Sequence, residues 1–323
     1  MNSVVVRAPT RLDFGGGWTD VPPYTSEAGG RVCNVAINRY AEVTVAARRD
    51  AESDISLAAD GALVNAAMKR NGVTGVRTSV RSDFPTGAGL GGSSAVGVAL
   101  CAALRLWRGL PIDDRFALAK ESREVEVSEA GIAGGWQDHF AAAFGGALDL
   151  TFTIDTHVRQ LAITHETRSE LERRCLVFYT GQSRISGDTI TAVLTAYRLR
   201  EPAVVQALAA MKELAVAMPA ALESGDLDRL GELIGAHWRH QRSLHTSIST
   251  PRIEEVLHAA TRAGALGGKA LGASGGGCVA VIARRGAEAA ISAAVSPLAR
   301  ALPFHLDVAG VQVVSVDGVR RDA

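Results

Sequence analysis

The first half of the chain mixes strand-like and helix-like hydrophobic patterns. Short apolar or alternating runs at 4–6, 41–47 and 76–80 predict β-strands. Apolar positions spaced by three and four residues predict helices over 93–109 and 113–130, and a further strand is predicted over 147–152. This order predicts an α+β lobe that ends near residue 160.

The second half has longer amphipathic patterns. It predicts helices over 203–218, 226–244 and 252–262, and strands over 176–179, 278–283 and 311–316, with one more helix after residue 283. No internal repeat or low-complexity linker separates the halves. We therefore expect two α+β lobes, 1–160 and 161–323, that pack directly and leave a cleft for small ligands.

Composition narrows the class of protein. The chain has 323 residues and is 47% hydrophobic, which favours a globular protein over a disordered one. Lys plus Arg and Asp plus Glu number 34 each, so no overall basic charge favours nucleic acid. No apolar run approaches the roughly 18 residues that span a bilayer, and no secretory signal precedes the first strand. We expect a cytoplasmic protein without a nucleic-acid or membrane partner, and leave a homodimer open.

The four cysteines support a reducing compartment. They lie far apart, lack CxxC spacing and have apolar neighbours, so we expect small buried residues and neither disulfides nor a metal site. Their positions are Cys33, Cys101, Cys175 and Cys278.

The glycine-rich segment 84–95 is the strongest local signal. Its glycines precede two serines and an apolar helix. Because glycine allows positive φ and close approach, and because the first turn of a helix attracts anions, the segment predicts a triphosphate-binding loop.

Three other structures were considered for the glycine-rich segment. A serine-capped helix after a flexible turn explains the same residues. Gly87, Gly89 and Gly92 match the dinucleotide fingerprint, although residues 82–86, with Pro85 among them, separate the preceding strand from the first glycine. No GxxxxGK[ST] sequence occurs, since Ala270 follows Lys269, and a Walker A loop is excluded.

Three segments together resemble the GHMP kinase superfamily. Residues 85–95 resemble its central motif, Pro-x-x-x-Gly-Leu-Gly-Ser-Ser-Ala, with the additional glycine Gly92. Residues 7–20 are similar to the sugar-binding motif of its sugar kinases, and residues 271–277 to its C-terminal glycine motif. The resemblance implies a two-lobe α+β fold, with a ribosomal S5-like N-terminal lobe and a ferredoxin-like C-terminal lobe. It also implies ATP and Mg²⁺ as cofactors.

Within the superfamily, two groups of sugar kinases are similar. Residues 135–138, 141–146, 178–184 and 265–269 resemble D-glycero-D-manno-heptose 7-phosphate kinases, whereas residues 16–24 and 134–138 also resemble the kinase portion of L-fucokinases. The resemblance implies transfer of the γ-phosphoryl group of ATP to a sugar hydroxyl, expected to be the anomeric one. The acceptor is expected to be the heptose 7-phosphate, with fucose or another free sugar as the alternative. A non-catalytic sugar sensor is less favoured, because the candidate catalytic residues are intact.

The resemblance also assigns roles to individual residues. Asp138 is the expected catalytic carboxylate, and Arg11 the basic residue beside it. Glu126 and Ser94 are the expected metal ligands, with Ser93 as the substitute if Gly92 shifts the loop. Taken alone, Asp138 is also a plausible N-cap, Arg11 a surface arginine and Glu126 a solvated helix carboxylate.

The remaining candidates bind substrates. Those expected to contact ATP are Pro85, Gly87, Ala88, Gly89, Leu90, Gly91, Gly92, Ser93 and Ser94. Those expected to contact the sugar are Gly17, Trp18, Thr19, Asp20, Gly275 and Gly276. A simple turn at 19–22 and a βα turn at 275–277 are the structural alternatives. The basic helix end at 237–245 is either a phosphate site on the sugar side or, more simply, a solvated terminus.

Overall fold

The computed structural model describes residues 1–48, 61–182 and 187–320. Its strands are β1 Ser3–Gly15, β2 Gly30–Ala47, β3 Val76–Ser82, β4 Ala147–Phe152, β5 Thr156–Gln160, β6 Cys175–Tyr179, β7 Ala265–Ala270, β8 Cys278–Ala283, β9 Arg300–Ala301, β10 Gln312–Val316 and β11 Val319–Arg320. Its helices are α1 Tyr24–Ala28, α2 Gly61–Asn71, α3 Gly92–Trp107, α4 Arg115–Arg123, α5 Gln137–Phe144, α6 His165–Arg174, α7 Gly187–Arg198, α8 Pro202–Ser224, α9 Leu227–Gln241, α10 Pro251–Arg262 and α11 Glu288–Val295. A π-helical segment, Glu124–Glu129, follows α4.

Two antiparallel sheets organise these elements. The larger has the order β11-β10-β1-β2-β4-β5, with β3 also paired to β2, and the smaller has the order β7-β8-β6-β9. Every strand pair in the described ranges is antiparallel. The α+β prediction is confirmed, and the dinucleotide-fold interpretation, which needs parallel strands, is wrong.

Strand β1 extends well beyond the apolar run that predicted it. Up to Arg7 its residues are alternately buried and partly exposed, but from Ala8 onward every residue is buried. Arg11 lies opposite Ala36 on β2, and Asp13 lies opposite Asn34. Because side chains alternate along a strand, Arg11 and Asp13 project from the same face. The second half of β1 therefore carries two charged groups into the interior.

Helix α3 is buried against the larger sheet. Its residues from Ser94 to Leu104 are all buried, and they pack with apolar residues of β1 and β2. Burial on all sides holds the helix in place, so its N-terminal turn has a fixed position.

The predicted helix over 113–130 is confirmed with one change. Helix α4 ends at Arg123, and residues 124–129 continue with the wider turns of a π-helix. Such segments occur often at functional sites. The predicted helices at 93–109, 203–218, 226–244 and 252–262 match α3, α8, α9 and α10.

The closing strand corrects the expected lobe assignment. Residues 311–316 were predicted as a strand of the second lobe, but β10 pairs with β1, where Val4 lies opposite Val316. The last strand thus belongs to the larger sheet. The lobe boundary near residue 160 stays a prediction.

We expected no segment long and apolar enough to span a bilayer, but helix α8 is one. It has the required length and a mean hydropathy of 1.3, and it is the only such helix among those described. A core helix passes the same test, and Leu208, Met211 and Met218 of α8 are buried in the protein. The four cysteines are free and buried, as predicted.

Candidate active site

The segment 87–94 forms a loop and the first turn of α3. Gly91 takes the N-cap position with a left-handed φ of 74°, and no side chain caps the helix. A Cβ on Gly91 would lie 3.0 Å from the carboxyl carbon of Asp138, so only glycine fits there. The serine-capped interpretation is wrong. The first-turn N–H groups instead form the uncapped, electropositive end of a buried helix, which suits a phosphate.

The two serines of the loop face Glu126. Ser94 Oγ donates to Glu126 Oε2 at 2.9 Å, and Ser93 Oγ donates to Oε1. His139 Nε2 lies 2.8 Å from Glu126 Oε2, and the hydroxyl of Ser122 lies 2.9 Å from His139 Nδ1. Burial alone would raise the pKa of Glu126, but His139 and the serine hydroxyls hold it below its usual value. The carboxylate is therefore ionised.

Glu126 is not a solvated helix carboxylate. It is only 2% exposed, whereas its neighbours pair with arginines at the protein surface: Glu124 and Glu129 with Arg70, and Glu121 with Arg105. The spacing of the motif, rather than the local acidity, distinguishes the functional candidate here.

Ser94 and Glu126 fit a hard divalent cation. Mg²⁺ prefers oxygen ligands and usually takes only one or two from protein, with phosphates and water completing its octahedron. In the ranges that the structure describes, no group of three or more His, Cys, Asp or Glu side chains could hold a metal by itself. A metal that arrives with nucleotide phosphates matches this donor set. Whether Ser94 or Ser93 would be the ligand stays a prediction.

Arg11 and Asp138 form a bidentate ion pair. Arg11 Nε donates to Asp138 Oδ1 at 2.8 Å, and Nη2 donates to Oδ2 at 2.9 Å. Nη1 donates to the carbonyl oxygen of Gly89 at 2.7 Å, which ties the phosphate loop to the same arginine. The Arg11 side chain is 4% exposed and that of Asp138 25% exposed. Asp138 is thus held by two hydrogen bonds while part of its side chain stays accessible.

Both structural alternatives for this pair are wrong. Helix α5 begins at Gln137 with Trp136 as its N-cap, so Asp138 is not a cap. Arg11 is buried and is not a surface arginine. Burial raises the pKa of Asp138, and the Arg11 guanidinium opposes that rise.

Asp20 is joined to the segment that carries Asp138. Its Oδ2 accepts hydrogen bonds from the backbone N–H groups of Trp136 at 2.8 Å and Gln137 at 2.9 Å. A Cβ on Gly135 would lie 2.1 Å from the same oxygen, which requires glycine at that position. Burial raises the pKa of Asp20 to about 6, against the hydrogen bond from Gln137 and with the help of the Asp138 charge.

The other residues of this segment that were predicted to contact the sugar, Gly17, Trp18 and Thr19, lie in a buried turn. Thr19 Oγ1 donates to the carbonyl oxygen of Gly16 at 2.6 Å, and a Cβ on Gly17 would meet Asp13. Trp18 has a positive φ of 80° and is 6% exposed, and it packs in an apolar cluster with Tyr24. A turn does form at 16–21. The predicted contacts of Gly17, Trp18 and Thr19 with a sugar stay predictions.

The third glycine segment packs against the phosphate loop. The N–H of Cys278 donates to the carbonyl oxygen of Ala88 at 2.8 Å, and a Cβ on Gly277 would lie 2.7 Å from that oxygen. Gly275 and Gly276 have φ values of 83° and 152°. The segment joins β7 to β8, so the βα-turn alternative is wrong. Of the similar segment 178–184, residues 183 and 184 lie outside the described ranges.

Sequence reasoning missed a second buried ion pair. Lys269 Nζ donates to Asp13 Oδ2 at 2.8 Å, and the two side chains are 1% and 2% exposed. Burial acts to raise the pKa of Asp13, but Lys269 and Arg11 bring it below its usual value. The pair joins β1 of the larger sheet to β7 of the smaller one. The sequence feature that pointed to a buried charge at Asp13 was its i, i+2 spacing from Arg11, which places both residues on one face of the strand.

The basic helix end at 237–245 begins in the protein interior, which a solvated terminus does not explain, and the phosphate-site alternative stays a prediction. His237 is fully buried, and its Nε2 accepts a hydrogen bond from the N–H of Gly16 at 2.8 Å. Burial moves the pKa of His237 well below its usual value, so the ring is neutral. One turn later, Gln241 Nε2 donates to the carbonyl oxygen of Gly272 at 3.0 Å. Helix α9 therefore supports the first and third glycine segments from behind.

Comparison with known proteins places this site in a family. Residues 58–146 match the GHMP kinases N terminal domain, and residues 217–298 match the GHMP kinases C terminal family. The chain is 30% identical over 302 residues to a D-glycero-alpha-D-manno-heptose 7-phosphate kinase of Campylobacter jejuni, covering 86% of this chain and 88% of the relative. It is 27% identical to a bifunctional fucokinase/GDP-fucose pyrophosphorylase of Arabidopsis thaliana, covering 86% of this chain but only 30% of that protein.

A solved structure supports the same assignment. The crystal structure of a D-glycero-D-manno-heptose 1-phosphate kinase from Bacteroides thetaiotaomicron superposes with a TM-score of 0.75 at 25% identity, covering 97% of this chain and 99% of that one. The matches extend over both halves of the chain and include the glycine loop, Glu126 and Asp138. The chain belongs to the GHMP kinase family.

Proposed function

We propose that this protein is an ATP- and Mg²⁺-dependent sugar kinase that phosphorylates the anomeric C1 hydroxyl of D-glycero-D-manno-heptose 7-phosphate. The observation that carries the proposal is the Arg11–Asp138 ion pair, held beside the N-terminal turn of α3 with one carboxylate edge accessible. The Campylobacter jejuni relative supports the choice of acceptor.

Asp138 receives the proton of the acceptor hydroxyl. As that oxygen attacks the γ-phosphorus, the bond from phosphorus to the β–γ bridging oxygen breaks and ADP leaves with the bonding electrons. Asp138 orients the hydroxyl and accepts its proton as the new bond forms. The two hydrogen bonds from Arg11 fix the orientation of the carboxylate, which places the attacking oxygen.

Arg11 also stabilises negative charge. Its guanidinium is permanently cationic and bonds both Asp138 and the Gly89 carbonyl oxygen of the phosphate loop. A cation at that junction favours the ionised form of Asp138 and stabilises the negative charge that develops on the transferred phosphoryl group.

The loop and its acidic neighbour serve the nucleotide. The N–H groups of the first turn of α3 cradle phosphate oxygens, with residues 85–94 lining the path. Ser94 and Glu126 would hold Mg²⁺, which when bound would neutralise negative charge on the nucleotide phosphates. His139 keeps Glu126 ionised and fixes its direction.

Asp20 binds the sugar. An ionised carboxylate accepts two hydroxyl hydrogen bonds, and its backbone bonds to residues 136 and 137 link sugar binding to the position of Asp138. The Gly17–Thr19 turn supports Asp20, and Gly275 and Gly276 complete the cleft from the other lobe.

A free-sugar kinase similar to L-fucokinases is the second candidate. It is favoured by the match to the Arabidopsis thaliana protein and by the tryptophans at positions 18 and 136, which this chain shares with that group's motifs. The two candidates differ in the sugar and in whether the acceptor already carries a phosphate.

Steady-state ATP consumption tests the proposal. The purified protein, with Mg²⁺, is assayed against heptose 7-phosphate, free heptose, fucose and other aldoses, and ³¹P NMR locates the new phosphate. Turnover with heptose 7-phosphate and a new C1 phosphate would support the leading function. Turnover confined to free sugars would establish the second candidate, and sugar binding without turnover would contradict both.

A further inference from the structure

Arg123 lies near Asp20, the proposed sugar ligand, and Glu126, the proposed metal ligand. It is the last residue of α4, three positions before Glu126, at the point where the helix widens into the π-helical segment. The charges of Asp20 and Glu126 both act on Arg123, so its guanidinium lies near both carboxylates. The mechanism proposed above gives Arg123 no role.

Trp136 holds the Arg123 side chain in place. The guanidinium carbon lies 3.9 Å from the centroid of the Trp136 ring, a cation–π stacking distance. The backbone N–H of the same tryptophan donates to Asp20 Oδ2 at 2.8 Å. One residue therefore joins the arginine to the carboxylate expected to bind sugar.

The charge of Arg123 has no carboxylate partner. Among the described residues it forms no ion pair, and its Nε is buried without a hydrogen-bond acceptor. Arginines on either side of the same helix bundle behave differently: Arg70 pairs with Glu124 and Glu129, and Arg105 pairs with Glu121. Burial lowers the pKa of Arg123, opposed by the more distant charges of Asp20 and Glu126.

Partial burial of a guanidinium without a partner is energetically unfavourable unless an anion binds to it. Removing a charge from water is unfavourable, and stacking on one ring face satisfies none of the N–H donors. The planar fork of arginine is suited to bidentate contact with phosphate oxygens. Stacking on Trp136, whose backbone N–H binds Asp20, places the guanidinium next to the segment expected to bind the sugar.

We propose that Arg123, stacked on Trp136, binds the phosphate that the sugar acceptor already carries. This inference rests on the proposed function and deepens it, because it identifies a residue that would distinguish a sugar phosphate from a free sugar. Arg123 is a binding residue and takes no part in the transfer.

Kinetics of Arg123→Gln and Arg123→Lys with a matched pair of acceptors test the inference. With heptose 7-phosphate, we expect Arg123→Gln to raise KM about 10- to 100-fold, the value of a lost charge-assisted hydrogen bond, and Arg123→Lys to raise it less. With free heptose, kcat/KM should stay within about twofold of wild type, and so should KM for ATP. Titration calorimetry with heptose 7-phosphate in the absence of ATP should show the same loss of affinity.

Lys120→Gln is the matched control. Lys120 lies one turn earlier on α4 and stacks over Phe116, so its removal tests the general loss of a helix cation. We expect no change in either KM. Thermal unfolding of each variant separates loss of binding from loss of fold.

Three outcomes would overturn the inference. An unchanged KM for heptose 7-phosphate in Arg123→Gln, with wild type active on it, would refute the role of Arg123 and leave the proposed function intact. A rise confined to KM for ATP would place Arg123 on the nucleotide side. Wild-type turnover of free sugars alone would refute the heptose 7-phosphate assignment and, with it, the need for this contact.

Discussion

Strand β1 contributes to two buried ion pairs that differ in accessibility. Arg11 pairs with Asp138, whose side chain is 25% exposed, while Asp13, two residues further, pairs with Lys269 at 1% exposure. Both pairs tie β1 to another part of the molecule, since Asp138 belongs to α5 and Lys269 to β7. Only the first leaves a carboxylate edge open to a substrate.

The difference shows how similar interactions acquire different roles. A sealed ion pair is only a weak source of net stability, because desolvation offsets the attraction between its charges, but loss of one partner leaves a buried charge uncompensated. The Asp13–Lys269 pair therefore links the two sheets at a point where neither partner tolerates loss of the other. In the proposed mechanism, the more accessible Arg11–Asp138 pair orients the proton acceptor.

Breaking the open pair should give the largest effect. Asp138→Asn keeps the shape but loses the proton acceptor, so we expect kcat to fall about 10²- to 10⁴-fold with ATP affinity nearly unchanged. Initial rates and nucleotide titration measure the two quantities. Asp307→Asn, at a buried aspartate on the chain between β9 and β10, serves as the control and should retain turnover. Wild-type kcat in Asp138→Asn would contradict the assignment.

Breaking the sealed pair should act on stability. Asp13→Asn and Lys269→Met each leave one buried group unmatched, so we expect each to lower the free energy of unfolding by about 3–5 kcal/mol. The double variant should lose much less than the sum, because neither charge remains. Urea denaturation of all four proteins gives the coupling energy. Strictly additive losses would show that the pair does not act as a unit.

Asp20 sharpens the comparison, because it is buried and forms no ion pair with any residue that the structure describes. Its pKa of about 6 lies above the ordinary aspartate value, so the folded protein binds more protons than the unfolded chain between about pH 4 and 6. The free energy of unfolding should therefore fall as the pH rises through this window, by up to about 3 kcal/mol.

Asp20→Asn removes this titration. We expect a flatter pH dependence of stability, a higher melting temperature at pH 8 and a higher KM for the sugar. Calorimetric scans between pH 4 and 8 measure the first two quantities. An unchanged slope in the variant would mean that other groups cause the wild-type pH dependence.

The smallest effect should separate the two loop serines. Both donate to Glu126, but Ser94 is 4% exposed and Ser93 more exposed. We expect Ser94→Ala to raise the Mg²⁺ concentration for half-maximal activity about tenfold, and Ser93→Ala about twofold. Mg²⁺ titrations at saturating ATP provide the measurement. The reverse order would make Ser93 the ligand and show that Gly92 shifts the loop.

Local patterns predicted most of the elements but not the charged end of β1. Apolar periodicity found β4, α3 and α10 within two residues, because burial of one face determines them. Arg11 and Asp13 alternate with Leu12 and Phe14 as in a strand, but Pro9 separates them from the apolar run, so only the first apolar residues of β1 were recognised. Buried polar residues in strands depend on partners elsewhere in the fold.

The site was predictable where a motif fixed it. The glycine loop, Glu126 and Asp138 came from motif spacing, and the structure brings Arg11 onto Asp138. No motif assigns a role to Lys269, His237 or Arg123, since their significance depends on contacts with residues more than ten positions away. The pairing of β10 with β1 could not be predicted for the same reason.

The pairing of β10 with β1 bears on how the protein is made. On the ribosome, β1 is synthesised long before its neighbour at 312–316. The sheet that carries Arg11 cannot be completed until that later strand has emerged. One edge of β1 therefore stays without its final partner while the intervening residues are synthesised, and an unpaired strand edge is a site of non-native pairing.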